Sequence, residues 1–190
     1  MLNQRQTVKD LIAKHNKPNP LADYLLPYIG GKKEVKIADI GSGAWSIIGS
    51  YLDEIDLKIY NSDNQDFTDF WKKQNIIPFM IPEYQDMERL TYPDNFFDVV
   101  HCVNALDHTK DALAAVKEMI RVCKPGGYVY IKCWLSQLDT GHLHKWNVTK
   151  TGAFENGIGA FDLRSLGFQI DYTDLGGESR YNFIDAILRK

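Results

Sequence analysis

The residues with the clearest chemical potential are Gly41 and Gly43 and, twenty positions after Gly43, Asp63. Two glycines around Ser42 let the backbone turn tightly and let a ligand approach the main chain. An acidic residue at about that spacing can accept hydrogen bonds from both hydroxyls of a ribose. Together they point to an adenosine-containing cofactor. A dinucleotide site would carry a third glycine at position 46, where this chain has Ser46, and the chain leaves no room for a separate catalytic domain. Five histidines could move protons near neutral pH: His15, His101, His108, His142 and His144. The cysteines Cys102, Cys123 and Cys133 form no CxxC pair and read as reduced, buried thiols of a cytoplasmic protein.

These residues need elements to hold them. Val35 to Ile40 reads as a short buried strand ending at the glycine turn, and Ile48, Tyr51, Leu52 and Ile55 form a helical stripe after it. Leu57 to Tyr60 is a second strand, followed by a short helical stretch through Phe67, Phe70 and Trp71. A third strand is expected within Phe79 to Gln85 and a fourth over Phe97 to Val103. Leu113, Val116, Ile120 and Cys123 mark a helix that stops at Lys124-Pro125-Gly126-Gly127, and Tyr128 to Trp134 is a fifth strand. Phe168 to Tyr172 and Phe183 to Leu188 close the pattern as an antiparallel pair at one edge. Ahead of it all, Val8, Leu11, Ile12 and His15 follow helical spacing, and Asn19-Pro20 opens a second short helix. The expected fold is therefore α/β: a doubly wound, mostly parallel, Rossmann-like sheet of seven strands with an antiparallel edge strand and short N-terminal helices. Residues 1–34 are a helical cap and 35–190 the cofactor-binding domain.

The 190 residues suffice for one domain with a core of its own. The longest apolar run, Ile76 to Pro82, is far below the ~20 residues of a membrane span, and the polar start lacks a signal-peptide core. The net charge is −3: residues 1–36 carry +4 and the remainder −7. A phosphate-reading surface is normally strongly basic, so nucleic acid is not an expected partner.

From Val35 to Trp134 the sequence resembles the class I S-adenosylmethionine-dependent methyltransferases, in the type-11-like small-molecule branch. The resemblance rests on Asp39-Ile40-Gly41-Ser42-Gly43, Asp63, Gln85-Asp86-Met87, Phe97-Asp98-Val99-Val100, Asn104-Ala105-Leu106-Asp107-His108 and Lys124-Pro125-Gly126-Gly127, all in family order. It implies S-adenosylmethionine as cofactor. Gly41 and Gly43 would shape the loop under its methionine part, with Asp39 helping to anchor the amino group. Asp63 would hold the ribose, Asp86 would accept from the adenine amine, and Met87 would pack on the ring or offer it a backbone amide. The backbone carbonyl of Asn104 could face the amino group, while Asp98 and the Lys124–Gly127 turn look structural. Trp45 departs from the family pattern, which has a small residue there. It could reach over the loop to the sulfonium, a cation–π contact worth up to ~2 kcal/mol, pack on the N-terminal helices, or block the pocket.

The sulfonium methyl is already activated, so the chain must orient an acceptor, exclude water and, for a hydroxyl, remove a proton. His108, on the loop after the fourth strand, and His144, within Gly141-His142-Leu143-His144-Lys145-Trp146-Asn147, are the candidate bases. His101 reads as a satisfied core residue and His15 as packed or capping. His142 and His144 could bind a metal, but no third ligand is evident nearby, so none is expected. Trp134, Trp146, Phe154 and Tyr84 could wall an acceptor pocket or belong to the core. The leading reading is methyl transfer to an oxygen or nitrogen of a small molecule or saccharide, by a monomer or a homodimer away from the membrane. An inactive cofactor-binding scaffold and a nucleic-acid or protein methyltransferase are the alternatives, with a nicotinamide oxidoreductase more distant.

Overall fold

The computed structural model describes residues 10, 13, 16–135, 144–175 and 182–190. Seven strands form one sheet: β1 (Glu34–Ile40), β2 (Asp56–Asp63), β3 (Glu83–Tyr84), β4 (Phe97–Val103), β5 (Cys123–Trp134), β9 (Gln169–Thr173) and β10 (Phe183–Arg189). Their order is β3-β2-β1-β4-β5-β10-β9. Every pair from β3 to β5 is parallel, whereas β10 runs antiparallel to both β5 and β9. The antiparallel strand is thus the penultimate one, inserted between β5 and the edge strand β9. Three short strands, β6 (Asn147–Val148), β7 (Ala153–Glu155) and β8 (Ala160–Asp162), make a separate antiparallel sheet in a stretch without a readable pattern.

Parallel strands covered on both faces read as continuous apolar runs, and β4 is the clearest case, with Phe97 to Cys102 all buried. Helix α2 (Ala112–Val122) begins at Asp111, whose Oδ1 accepts from the Ala114 amide at 2.9 Å. It buries Ala112, Ala115, Val116, Met119 and Val122, a face one residue off the expected stripe. Helix α1 (Thr68–Gln74) buries none of its residues and stops at Asn75 in the left-handed conformation.

The expected helix after the glycine turn is absent. Residues 44–55 form turns and isolated bridges instead. Their amides and carbonyls bond to the N-terminal segment: Leu21 N to Tyr51 O at 2.7 Å, Ala22 N to Ile48 O at 2.8 Å and Ser50 N to Asn19 O at 2.8 Å. Gly49, at φ +92°, lets the two segments meet, since a Cβ there would collide with the Pro20 carbonyl. Ile48, Leu52 and Ile55 still reach the core, against Leu21, Leu25, Val35, Ile37 and Val99. Asn19-Pro20 opens no helix. The helical turn that follows is a 3-10 turn, Asp23–Tyr28. Of the first expected helix, Val8, Leu11, Ile12 and His15 lie outside the described residues.

Candidate active site

A cleft of about 490 Å³ opens beyond the carboxyl ends of β1, β2 and β4. Strand order reverses direction between β1 and β4, and this is where such sheets bind ligands. Gly41 must be glycine: its φ is +72°, and a side chain would run into the Cβ of Ala105 and come within 3.1 Å of Met87 Cε. The amides of Gly41 and Ser42 both donate to Ser62 O, at 2.8 and 3.0 Å. Gly43, at φ +67°, lines the cleft, and a Cβ there would meet nothing within 4 Å.

Asp63 couples the loop to β2. Its Oδ2 accepts from the Gly43 amide at 2.9 Å and its Oδ1 from the Gln65 amide at 3.0 Å. A carboxylate offers about four acceptor positions, so roughly two remain for a ligand. Asn104 lines the opposite wall in the left-handed conformation (φ +52°), its amide bonded to Lys132 O and its Oδ1 accepting from the Trp134 amide. Phe67, Gln85, Met87, His108, Thr109 and Lys145 also line the cleft.

Several expected site residues stand elsewhere. Asp39 is buried behind the cleft, with Oδ2 accepting from Ser46 Oγ at 2.6 Å and Oδ1 paired with His101 Nδ1 at 2.7 Å. His101 is fully buried, 3.0 Å from the Tyr24 hydroxyl through Nε2 and stacked on Tyr130. Asp86 is exposed, and its Oδ1 accepts from the Glu88 amide. Trp45 faces Phe70 of α1, with ring centroids 5.7 Å apart, and does not line the cleft. Trp146 and Phe154 belong to the core, and Trp134 and Tyr84 lie away from the lining. Among the described N-terminal residues, Leu21, Leu25 and Ile29 pack against Val35, Ile37 and Val99 of the sheet. His142 lies outside the described residues.

His108 and His144 come together through a residue the sequence did not single out. Asp107, on the 3-10 turn Leu106–His108, has a nearly buried carboxylate. His144 Nδ1 contacts its Oδ2, and His108 Nε2 lies 3.7 Å from its Oδ1. The two imidazole centroids are 4.6 Å apart. Backbone bonds fix the arrangement, since Lys145 and Trp146 both donate their amides to Asp107 O, at 2.8 and 3.2 Å. Trp146 Nε1 also donates to Thr109 O at 3.1 Å. The pairing joins positions 37 apart, which no local spacing reveals. Asp107, His108 and His144 thus form a cluster whose candidate ligand atoms all lie within 4.8 Å of one another.

Residues 38–131 match the model of a family described as a methyltransferase domain. The chain belongs to the class I, type-11-like methyltransferases. Among curated relatives, the chain is 27% identical over 117 residues to the sterol 24-C-methyltransferase of Aspergillus fumigatus, covering 59% of the chain and 31% of that protein. It is 32% identical to an uncharacterized methyltransferase of Schizosaccharomyces pombe, covering 60% and 45%. It is also 32% identical to the ubiquinone/menaquinone biosynthesis C-methyltransferase of Coxiella burnetii, covering 58% and 37%. The chain spans less than half the length of these relatives. The fold matches that of a Methanosarcina mazei S-adenosylmethionine-dependent methyltransferase, with TM-score 0.53, 16% identity and coverage of 90% and 99%. It also matches the [4+2]-cyclase SpnF, with TM-score 0.51, 14% identity and coverage of 97% and 80%. Fold alone does not name the reaction.

The residues present fit S-adenosylmethionine. The volume lies within the range of small-molecule sites, the glycine loop leaves main chain bare toward the cleft, and Asp63 keeps acceptor capacity where a ribose needs it. No helix among the described residues is long and apolar enough to cross a membrane.

Proposed function

We propose that the chain binds S-adenosylmethionine in this cleft and methylates an oxygen or nitrogen of a small molecule or saccharide. The observation that carries the reading is the Gly43–Asp63 coupling, which makes one wall of the cleft both bare of side chains and rich in acceptors. When bound, the cofactor supplies a methyl group on a positively charged sulfur, already activated for transfer. The chain's residues do the rest. Gly41 to Gly43 would carry the methionine part and Asp63 the ribose hydroxyls, with Met87 and Phe67 packing on the base. Asp39 would act indirectly, by holding the loop through Ser46, and Asp86 would reach the base only by turning from Glu88. Asn104, His108, Thr109 and Lys145 give the cleft a polar lining, which suits a hydroxylated acceptor better than a bare hydrocarbon. A hydroxyl must lose its proton as it attacks, and the groups placed to promote that loss are Asp107, His108 and His144.

Calorimetry with S-adenosylhomocysteine tests the reading. Asp63→Ala removes about two hydrogen bonds to a charged acceptor, at 1.5–3 kcal/mol each, so affinity is expected to fall at least ~100-fold. Equal binding by the folded variant would sink the proposal. Carbon methylation is the second reading, favoured by the relatives named as C-methyltransferases; the position of the methyl group in the product separates the two.

A further inference from the structure

We propose that Asp107, His108 and His144 bind a divalent first-row transition-metal ion at the cleft. Two imidazoles and one carboxylate bring their ligand atoms within 4.8 Å of one another. A hydrogen-bonded catalytic pair needs one imidazole on a carboxylate. Here each carboxylate oxygen faces a different imidazole, Oδ2 that of His144 and Oδ1 that of His108, and the rings tilt at 51° instead of stacking. Metal–ligand bonds of ~2.1 Å in a tetrahedral shell place donor atoms about 3.4 Å apart, close to the 3.7 Å between His108 Nε2 and Asp107 Oδ1. Binding an ion replaces the Asp107–His144 hydrogen bond with two metal bonds and requires a small rotation of the imidazole, which is 31% exposed.

The donor set selects the ion. Imidazole nitrogen with a single carboxylate suits zinc, iron, cobalt or manganese, whereas magnesium and calcium take mostly oxygen. The site is also built. The carboxylate is only 5% exposed, and the Asp107 carbonyl holds the strand of chain carrying His144 through two amides. Three protein ligands leave coordination positions open, as in catalytic metal centres. His108 lines the cleft, so those positions are accessible to an acceptor. The ion would take oxygen donors of the acceptor, favouring adjacent hydroxyls that chelate. It would lower a hydroxyl's pKa so that the proton leaves to water, which replaces direct transfer to an imidazole. This role rests on the methyl-transfer reading, but the metal site does not.

The test uses untagged, chelator-stripped protein titrated with Co²⁺, followed by visible absorption and by calorimetry with Zn²⁺ and Mn²⁺. One ion per chain is expected, with ligand-field bands of a nitrogen–oxygen site. Asp107→Asn and His144→Ala should each weaken binding at least ~10-fold. His108→Gln, at a half-buried side chain, serves as the variant least able to disturb folding, and it too should weaken binding. No saturable binding, or unchanged binding in all three variants, overturns the proposal. S-adenosylhomocysteine affinity, measured in the same samples without metal, reports the cofactor reading separately. Its presence without metal binding defeats only the metal site, and metal binding without it defeats only the cofactor.

Discussion

Gly41 concentrates two constraints at one position, and they can be separated. Its φ of +72° costs a residue with a side chain roughly 1–2 kcal/mol, and the collision with Ala105 adds about 1–2 kcal/mol of overpacking. Gly41→Ala is therefore expected to lose about 3 kcal/mol in urea unfolding and to weaken S-adenosylhomocysteine. Adding Ala105→Gly should return the collision part and leave the backbone part. If the double variant is no more stable than the single one, Ala105 is not what the glycine makes room for. The same residue also shows what a sequence can disclose. Gly41, Gly43 and Asp63 were legible because a turn and a strand end act over a fixed spacing. Asp107 was not, because its importance comes from His144, which reaches it through the chain's return after β5.

Among the elements, the segment 44–55 is the instructive one. Apolar residues at helical spacing predicted a helix, yet Gly49 and the hydrogen bonds to residues 19–22 tie it down in an irregular form that brings Ile48, Leu52 and Ile55 to the core and leaves Tyr51 exposed. Periodicity reported three of the four residues that were expected inside and not how the backbone gets them there. Strand β4 was legible to its ends because a continuous buried run is bounded by Asn95 and Asn104, both at positive φ. Strands β3 and β6 have two residues each, too few to show any period. The clamp around Gly49 makes a prediction of its own. Gly49→Ala meets a φ of +92° and the Pro20 carbonyl, so about 2–3 kcal/mol of strain is expected. The amides of Leu21, Ala22, Ser50 and Tyr51 should exchange hydrogen faster than in the unsubstituted chain while those of β4 and β5 keep their protection. Uniform loss across the sheet would show that the clamp is not a separate unit.

Across the whole molecule, chemistry and stability occupy opposite ends of the sheet. The three thiols are buried: burial pushes Cys123 up to about 11 and holds Cys102 and Cys133 well above the ordinary range. Ellman's reagent should leave them unmodified in the folded protein near pH 8 and modify all three after unfolding. Asp98 sits at the end of β4 remote from the cleft, where it accepts from Lys32 Nζ at 2.7 Å, Lys124 Nζ at 2.9 Å and the Lys36 amide at 3.0 Å. It thus ties the approach to β1, β1 itself and the start of β5 onto β4. Burial acts to raise its pKa, but the two ammonium groups and the amide outweigh that and hold it below the usual value. A carboxyl depressed on folding contributes stability that is fully present above its unfolded pKa of about 3.9 and is lost as pH falls through the folded value. Asp98→Ala leaves the Lys36 amide without its acceptor and removes the partner of two lysines that remain 42% and 36% exposed, so about 2 kcal/mol is expected at pH 7, lowering Tm by roughly 6 °C. S-adenosylhomocysteine affinity, measured well below the variant's Tm, should stay within about twofold, because nothing Asp98 touches lines the cleft. The stability gap between the two proteins should then narrow below pH ~4 as the unsubstituted chain protonates Asp98. A gap that persists unchanged into that range would mean that the carboxylate's charge is not what holds these strands together.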